Sequence, residues 1–261
     1  MPATSAGETG GQPKARPLKK IPKWRINAHL RRYYYEPPTD AQKADAENPP
    51  VIFVHIPKTA GTRLTHIIAH NLSRTGLPKN LFYSAHRFSA YDLSVHYGPH
   101  RKLVLVLRDP VDRFISAYYS RYNKGAPDYK APWSRPEKRF FKRYPTLRRL
   151  AFGMLVTSRA RMERRIDKVH LLHMGYVRFF GSLDGVEQDW DNIATCMPID
   201  HLDAKQLGFE TYELPEKTKE NRGLPRPKVT FWERAVFQRF LVQEYRIYAR
   251  LRERARELHG V

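Results

Sequence analysis

Val51-Ile52-Phe53-Val54-His55-Ile56 is an apolar run that ends at Pro57 and opens into the short stretch Lys58-Thr59-Ala60-Gly61-Thr62. A continuous run, without the alternation of a half-exposed strand, predicts a strand buried on both faces, as in a parallel sheet. Beyond the loop, Leu64, Ile67, Ile68 and Leu72 recur at helical spacing, so the unit reads strand, tight loop, helix. The order repeats: Lys102 to Leu107 reads as a second buried strand, Arg108-Asp109 as a turn, and Pro110 as the first residue of a helix. Leu81 to Ser84 is a candidate for a further short strand. Strands alternating with helices predict an α/β fold with a mostly parallel central sheet flanked by helices, and place sites at the carboxyl ends of its strands.

Ahead of the first strand, residues 1–50 are rich in Gly, Pro and charge. Lys14, Arg16, Lys19, Lys20, Lys23, Arg25, Arg31 and Arg32 are opposed, up to Tyr35, by Glu8 alone. This predicts a mobile basic arm with one short helix near Ile26 to Tyr34, or alternatively a strap that packs Trp24 and Tyr33 to Tyr35 onto a domain. The remainder, 51–261, is of a size for one domain, with 41% hydrophobic content across the chain to fill a core. From Arg135 to Arg165 there are eleven Lys or Arg against Glu137 and Glu163. Phe140, Phe141, Leu147, Leu150, Phe152, Leu155 and Val156 are interleaved with them. The pattern predicts a pair of basic amphipathic helices over a core, their charge forming either a solvated face or a binding surface. Thr230 to His259 reads as one long helix.

The 47 Lys and Arg exceed the 26 Asp and Glu, giving a formal charge of +21. Such a field attracts a nucleotide, an acidic polysaccharide, an anionic membrane or nucleic acid equally. Cys196 is the only cysteine, which excludes an intrachain disulfide and a thiolate metal cluster. No apolar stretch approaches the roughly 20 residues that span a bilayer, and the first residues lack the pattern of a signal peptide. A soluble, cytoplasmic protein is expected.

A strand feeding a glycine-containing turn and then a helix converges backbone N–H groups and a helix dipole on one point, a site for a phosphate-like anion. Lys58 adds a point charge there, Gly61 permits close approach of the backbone, and Thr59 and Thr62 offer hydroxyls. The Walker order would put the lysine after the second glycine, whereas Lys58 precedes Gly61, and no magnesium-coordinating acidic residue is evident. A P-loop phosphotransferase or kinase is the alternative reading of the same cradle. A nucleic-acid-binding protein is a third, resting on charge without a recognisable binding motif.

In its residue order, His55-Ile56-Pro57-Lys58-Thr59-Ala60-Gly61-Thr62 resembles the 5′-phosphosulfate loop of carbohydrate sulfotransferases, the group of heparan sulfate 2-O- and 6-O-sulfotransferases and their bacterial relatives. Leu107-Arg108-Asp109-Pro110-Val111-Asp112-Arg113-Phe114-Ile115-Ser116 resembles their 3′-phosphate motif. The resemblance is specific over 51–122 and loose to about 250. It implies a P-loop-like α/β domain and 3′-phosphoadenosine 5′-phosphosulfate as donor, leaving 3′-phosphoadenosine 5′-phosphate, without a metal. Lys58, Thr59, Ala60, Gly61, Thr62 and Arg63 would hold the phosphosulfate, and Arg108 and Ser116 the 3′-phosphate. Relatives commonly carry Ser or Thr where this chain has Arg63. Arg113 and Asp109 are expected to fix the loop by ion pairing.

Tyr83-Ser84-Ala85-His86-Arg87-Phe88 resembles the segment where these relatives place a catalytic histidine. His86 is accordingly the candidate base, with imidazole titrating near neutrality, and a structural histidine is the competing reading. His96 and His100 are reserves. His66 and His70, at i and i+4, lack a third metal ligand and read as helix-face residues. Lys219, Asn221 and Arg222 lie in a stretch loosely similar to one that completes the nucleotide pocket, and Gly175–Gly181 and Ile199–Leu202 resemble family strands. The acceptor implied is a carbohydrate, with an anionic polysaccharide favoured by charge and a glycolipid or a protein tyrosine compatible. No specific nucleic acid is expected, and peripheral contact with an anionic membrane is compatible with the charge.

Overall fold

The computed structural model describes residues 38–59, 81–84, 88–124, 131–198 and 229–260, and elements are numbered over these residues. Four strands, β1 (Val51–Val54), β2 (Leu81–Ser84), β3 (Lys102–Leu107) and β4 (Ile193–Pro198), form one sheet in the order β2-β1-β3-β4. Every pairing is parallel: Val54 lies opposite Ser84 and Leu105, and Leu105 opposite Cys196. All carboxyl ends therefore share one edge. The first strand is shorter than its apolar run, because the Ile56 N–H turns back to the Val54 carbonyl at 3.2 Å.

Helices α1 (Asp40–Ala44), α2 (Ala90–Tyr97), α3 (Pro110–Tyr122), α4 (Arg135–Arg143), α5 (Leu147–Val156) and α6 (Arg159–Ile166) precede α7 (Tyr176–Phe180) and α8 (Leu183–Gln188). The chain ends in α9 (Phe231–Phe240) and α10 (Val242–His259). On one face of the sheet, Ile52, Val54, Leu103, Leu105, Leu107 and Cys196 pack with Leu93 of α2 and with Ile247, Leu251 and Ala255 of α10. Their alternates Phe53, Val106 and Met197 are buried as well. Burial on both faces is what an unalternating apolar strand requires. The fold is α/β, a parallel sheet flanked by helices.

Several expectations change. Gly175–Gly181 is not a strand but the short helix α7 between its two glycines. The missing strand is β4, whose Ile-Ala-Thr-Cys-Met-Pro has neither a continuous apolar run nor clean alternation. The long carboxyl-terminal helix is broken at Leu241 (φ −91°, ψ 23°), whose N–H still bonds the Phe237 carbonyl. The basic segment folds as three helices, α4 to α6, rather than two. Phe140, Phe141, Leu147 and Leu150 are buried as expected, whereas Phe152, Leu155 and Val156 are exposed. Helix α1 lies within the stretch expected to be an arm, and its Lys43 carbonyl sits where a Cβ on Gly98 would come within 2.8 Å. Gly98, at φ +85°, makes that approach possible. No helix among the described residues is long and apolar enough to cross a membrane.

A second core, away from the sheet, lies on α3, where Val111, Phe114, Ala117 and Tyr118 meet Phe140, Phe141, Leu150 and Phe237. It encloses a two-pronged ion pair: Arg121 Nε and Nη2 donate to the Glu137 carboxylate at 2.8 and 2.7 Å. Burial alone would raise the Glu137 carboxyl. Hydrogen bonds from Arg121 and Ser134 outweigh it and hold the group at about 2. A carboxylate depressed in the folded state contributes stability that is complete above its unfolded value near 4.5 and is lost as pH falls through 2. Urea unfolding of the intact chain is expected to lose about 3 kcal/mol across that window from this group. In Glu137→Gln, already destabilised at neutral pH, the loss across the same window should be smaller by about that amount.

Candidate active site

Because the chain passes from β1 to β2 on one side and then to β3 on the other, the strand order reverses between β1 and β3. Ligands of open parallel sheets bind beyond the carboxyl ends of strands at such a point. Both loops singled out in the sequence begin here. After β1 the backbone turns tightly: Thr59 directs its N–H (3.3 Å) and its hydroxyl (2.8 Å) to the Ile56 carbonyl, and its side chain is buried. Lys58 adopts the left-handed conformation, φ +69°, which a side-chain-bearing residue takes at some cost. Such conformations persist where surrounding bonds hold them. One of those bonds crosses to the other loop: Arg108 Nη1 donates to the Lys58 carbonyl at 3.0 Å. The two motifs, fifty positions apart, are thus joined directly.

Arg108 is itself held by its backbone. The hydroxyl of Tyr176 accepts from the Arg108 N–H at 2.8 Å and donates to the Arg108 carbonyl at 2.9 Å. Tyr176 is fully buried, which pushes its phenol far above the ordinary range and keeps it a donor at any working pH. Its own N–H donates to the buried Glu244 carboxylate of α10 at 2.7 Å. Gly175 makes room for that carboxylate, since a Cβ there would come within 2.3 Å of it. Tyr176→Phe removes one hydroxyl that satisfies two backbone groups, so a loss of about 1–3 kcal/mol of stability is expected in urea unfolding at neutral pH.

The next residues fix the start of α3. Asp109 caps the helix by accepting from the Asp112 N–H, and Pro110 occupies its first turn. Arg234 of α9 reaches Asp109 at 3.0 Å and Asp112 at 2.7 Å, and the Tyr245 hydroxyl of α10 donates to Asp109 at 2.7 Å. Asp109 therefore does pair, but with Arg234. Arg113 does not: it is buried and donates to the carbonyls of Leu171, Leu172 and Met174. It ties α3 to the segment leading into Tyr176, a bond to main chain that no charge pattern reveals. Ser116 lies on α3, half-buried, its hydroxyl without a partner among the described residues.

Ala60, Gly61, Thr62, Arg63 and His86 lie outside the described residues, as do His66, His70, Lys219, Asn221 and Arg222. Strand β2 ends at Ser84 opposite Val54, along the edge that bears Lys58 and Arg108. The reserve histidines are at the wrong edge. His100 precedes the amino end of β3, and His96 is in the last turn of α2 just before it. Six residues of β3, roughly 20 Å at 3.3 Å each, separate that edge from Arg108. The described residues include no cluster of three or more side chains able to hold a metal. Cys196 is buried in β4, where burial pushes its thiol well above the ordinary range, so it is no nucleophile.

Tyr176, Glu244, Arg234 and Tyr245 complete the site and carry no signal in the sequence, since each reaches it across more than sixty residues. No curated protein and no solved structure matches the chain. A family model described as "Sulfotransferase family" matches residues 44–249, a span that contains the four described strands, both strand-end loops, α9 and the part of α10 that carries Glu244 and Tyr245. A left-handed turn and an arginine joined at the switch point of a parallel sheet, within a match of that extent, identify the chain as a member of the sulfotransferase family.

Proposed function

We propose that the enzyme transfers a sulfuryl group from 3′-phosphoadenosine 5′-phosphosulfate to a hydroxyl of a carbohydrate acceptor, by in-line displacement with His86 as base. The observation that carries the reading is the bond from Arg108 to the Lys58 carbonyl, which puts a guanidinium beside the turn after β1. The donor set fits the nucleotide. By residue type, Lys58 and the stretch to Arg63 would cradle the phosphosulfate, with the Thr59 hydroxyl committed instead to the Ile56 carbonyl; Arg108 offers a planar fork suited to a phosphate, and Ser116 has a hydroxyl to give.

When bound, the donor supplies a sulfuryl group activated by its phosphate leaving group. The chain's residues do the rest. Lys58 places positive charge where charge grows on the leaving oxygen. Arg108 and Ser116 bind the 3′-phosphate, which ordinary adenine nucleotides lack. His86 takes the proton of the acceptor hydroxyl as the new oxygen–sulfur bond forms and the bond to the 5′-phosphate breaks. Residues 51–261 serve as one catalytic domain, and the acceptor approaches the carboxyl edge of the sheet. The likeness to heparan sulfate sulfotransferases favours an anionic polysaccharide or a glycolipid, in keeping with the +21 charge.

Thermal unfolding of the intact chain tests the donor. With 3′-phosphoadenosine 5′-phosphate at a hundred times its dissociation constant, linkage supplies about 2.7 kcal/mol and a rise in Tm of roughly 5–10 °C. Adenosine triphosphate and a random-sequence duplex should give much smaller shifts. Equal stabilisation by the triphosphate would favour a phosphotransferase, stabilisation by the duplex alone a nucleic-acid-binding protein, and no shift with the bisphosphate sinks the proposal.

A further inference from the structure

The outer face of α5 breaks the usual pattern of a surface helix. Phe152, Leu155 and Val156, at i, i+3 and i+4, share one side of its last turns and are 61%, 57% and 66% exposed. Arg148 and Arg149 precede Phe152 by one turn, and Arg159 and Arg161 open α6 just beyond Val156, all exposed. Around this apolar tip, the stretch from Arg135 to Arg165 holds eleven cations against two acids. Both acids are paired, Glu137 with Arg121 in the core and Glu163 with Arg159 at 2.8 Å, which leaves Arg148, Arg149 and Arg161 as the cations nearest the tip.

Tyr144 draws the neighbouring helices together beneath the tip. Its ring fills the space over Gly153, where a Cβ would come within 2.5 Å. Its hydroxyl accepts from Arg165 at 2.6 Å, and Arg143 lies 5.9 Å from the ring centroid. The basic ends of α4 and α6 are thus fastened to the helix that carries the apolar tip. This surface is distinct from the candidate active site. Arg159 lies over Phe240 at the end of α9, whereas Arg234, six residues earlier and about 9 Å along the helix, is the one that binds Asp109 and Asp112.

We propose that this face docks the enzyme on the surface of an anionic lipid bilayer, with Phe152, Leu155 and Val156 entering the headgroup boundary and the flanking arginines at the level of the phosphates. Two properties select that occupant. A second copy of the chain would bring like charge against like, Arg148, Arg149 and Arg161 against their counterparts, which opposes self-association. A polysaccharide would satisfy the cations and leave three large side chains in water. An anionic bilayer accepts both, since apolar groups bury in its boundary while each nearby Lys or Arg adds attraction to acidic headgroups. The surface stands independently of the donor and acceptor proposed above.

Co-sedimentation of the full chain with phosphatidylcholine vesicles, with and without one third phosphatidylglycerol, tests it. Binding is expected only to the anionic vesicles, weakening as salt rises. The combined variant Phe152→Ser, Leu155→Ser, Val156→Ser should bind them at least about tenfold more weakly. Its side chains are exposed, so Tm and stabilisation by 3′-phosphoadenosine 5′-phosphate should be unchanged. Failure of the wild-type chain to bind anionic vesicles overturns the proposal. So does a triple variant that binds as tightly as wild type, which would leave a plain cationic surface, and heparin competing equally against both would identify it as a polysaccharide site. A triple variant that alters only the sedimentation velocity of the free protein would overturn it in favour of a contact between copies.

Discussion

Replacing Arg108 with alanine is expected to lower kcat/KM for sulfuryl transfer by roughly 30-fold to several thousand-fold, because truncating one member of a charged, hydrogen-bonded pair costs about 2–5 kcal/mol. Two losses combine. The planar fork proposed for the 3′-phosphate disappears, and so does the bond that holds the Lys58 carbonyl, so the left-handed turn after β1 loses a support. The signature is in selectivity. The wild-type chain should prefer 3′-phosphoadenosine 5′-phosphate over adenosine monophosphate, and the variant should lose most of that preference. Arg108→Lys keeps the charge without the fork and should recover only part of it. Isothermal titration with the two nucleotides measures the ratio directly, and an unchanged ratio in Arg108→Ala would remove Arg108 from the site.

His86→Ala is expected to leave nucleotide affinity near that of the wild type and to reduce kcat by about 10²–10⁴, the usual worth of a positioned acid or base. Lys58→Ala should damage both affinity and turnover, because the charge proposed to face the donor would act in the ground state and in the transition state. The contrast separates proton transfer from binding. It is read in single-turnover assays with saturating donor. Full turnover by His86→Ala would place the base elsewhere, and neither His96 nor His100 could serve, since both lie at the amino edge of the sheet.

What could be read from the sequence follows the distance over which each feature is determined. The strands at Val51 and Lys102 announce themselves because burial on both faces demands an apolar run, and Pro110 marks α3 because its ring suits a first helical turn. β4 is silent because it draws its burial from the strand beside it and from α10, not from its own pattern. The two clamp loops were legible as local motifs. The residues that bind them into one object were not: Tyr176 is simply a tyrosine between apolar neighbours until α7 places its hydroxyl on Arg108. Arg113 reads as half of an ion pair and proves to be a clasp on three carbonyls. Phe152, Leu155 and Val156 read as core at helical spacing, and only the packing shows that the core ends at Leu150 and Ala151 on the other side of the helix.

The helix that ends the described chain has a consequence for the order of assembly. Glu244 and Tyr245 of α10, with Arg234 of α9, brace a site whose loops were laid down more than a hundred residues earlier. During synthesis the sheet, α3 and Tyr176 leave the ribosome before any of these three partners exists. The newborn chain has its strands in hand before α10 can cover them with Ile247, Leu251 and Ala255 or brace the site through Glu244 and Tyr245. Binding competence should therefore arrive late and abruptly, with the emergence of α9 and α10, and chains halted before residue 231, lacking the helix that covers one face of the sheet, should neither unfold cooperatively nor retain the nucleotide.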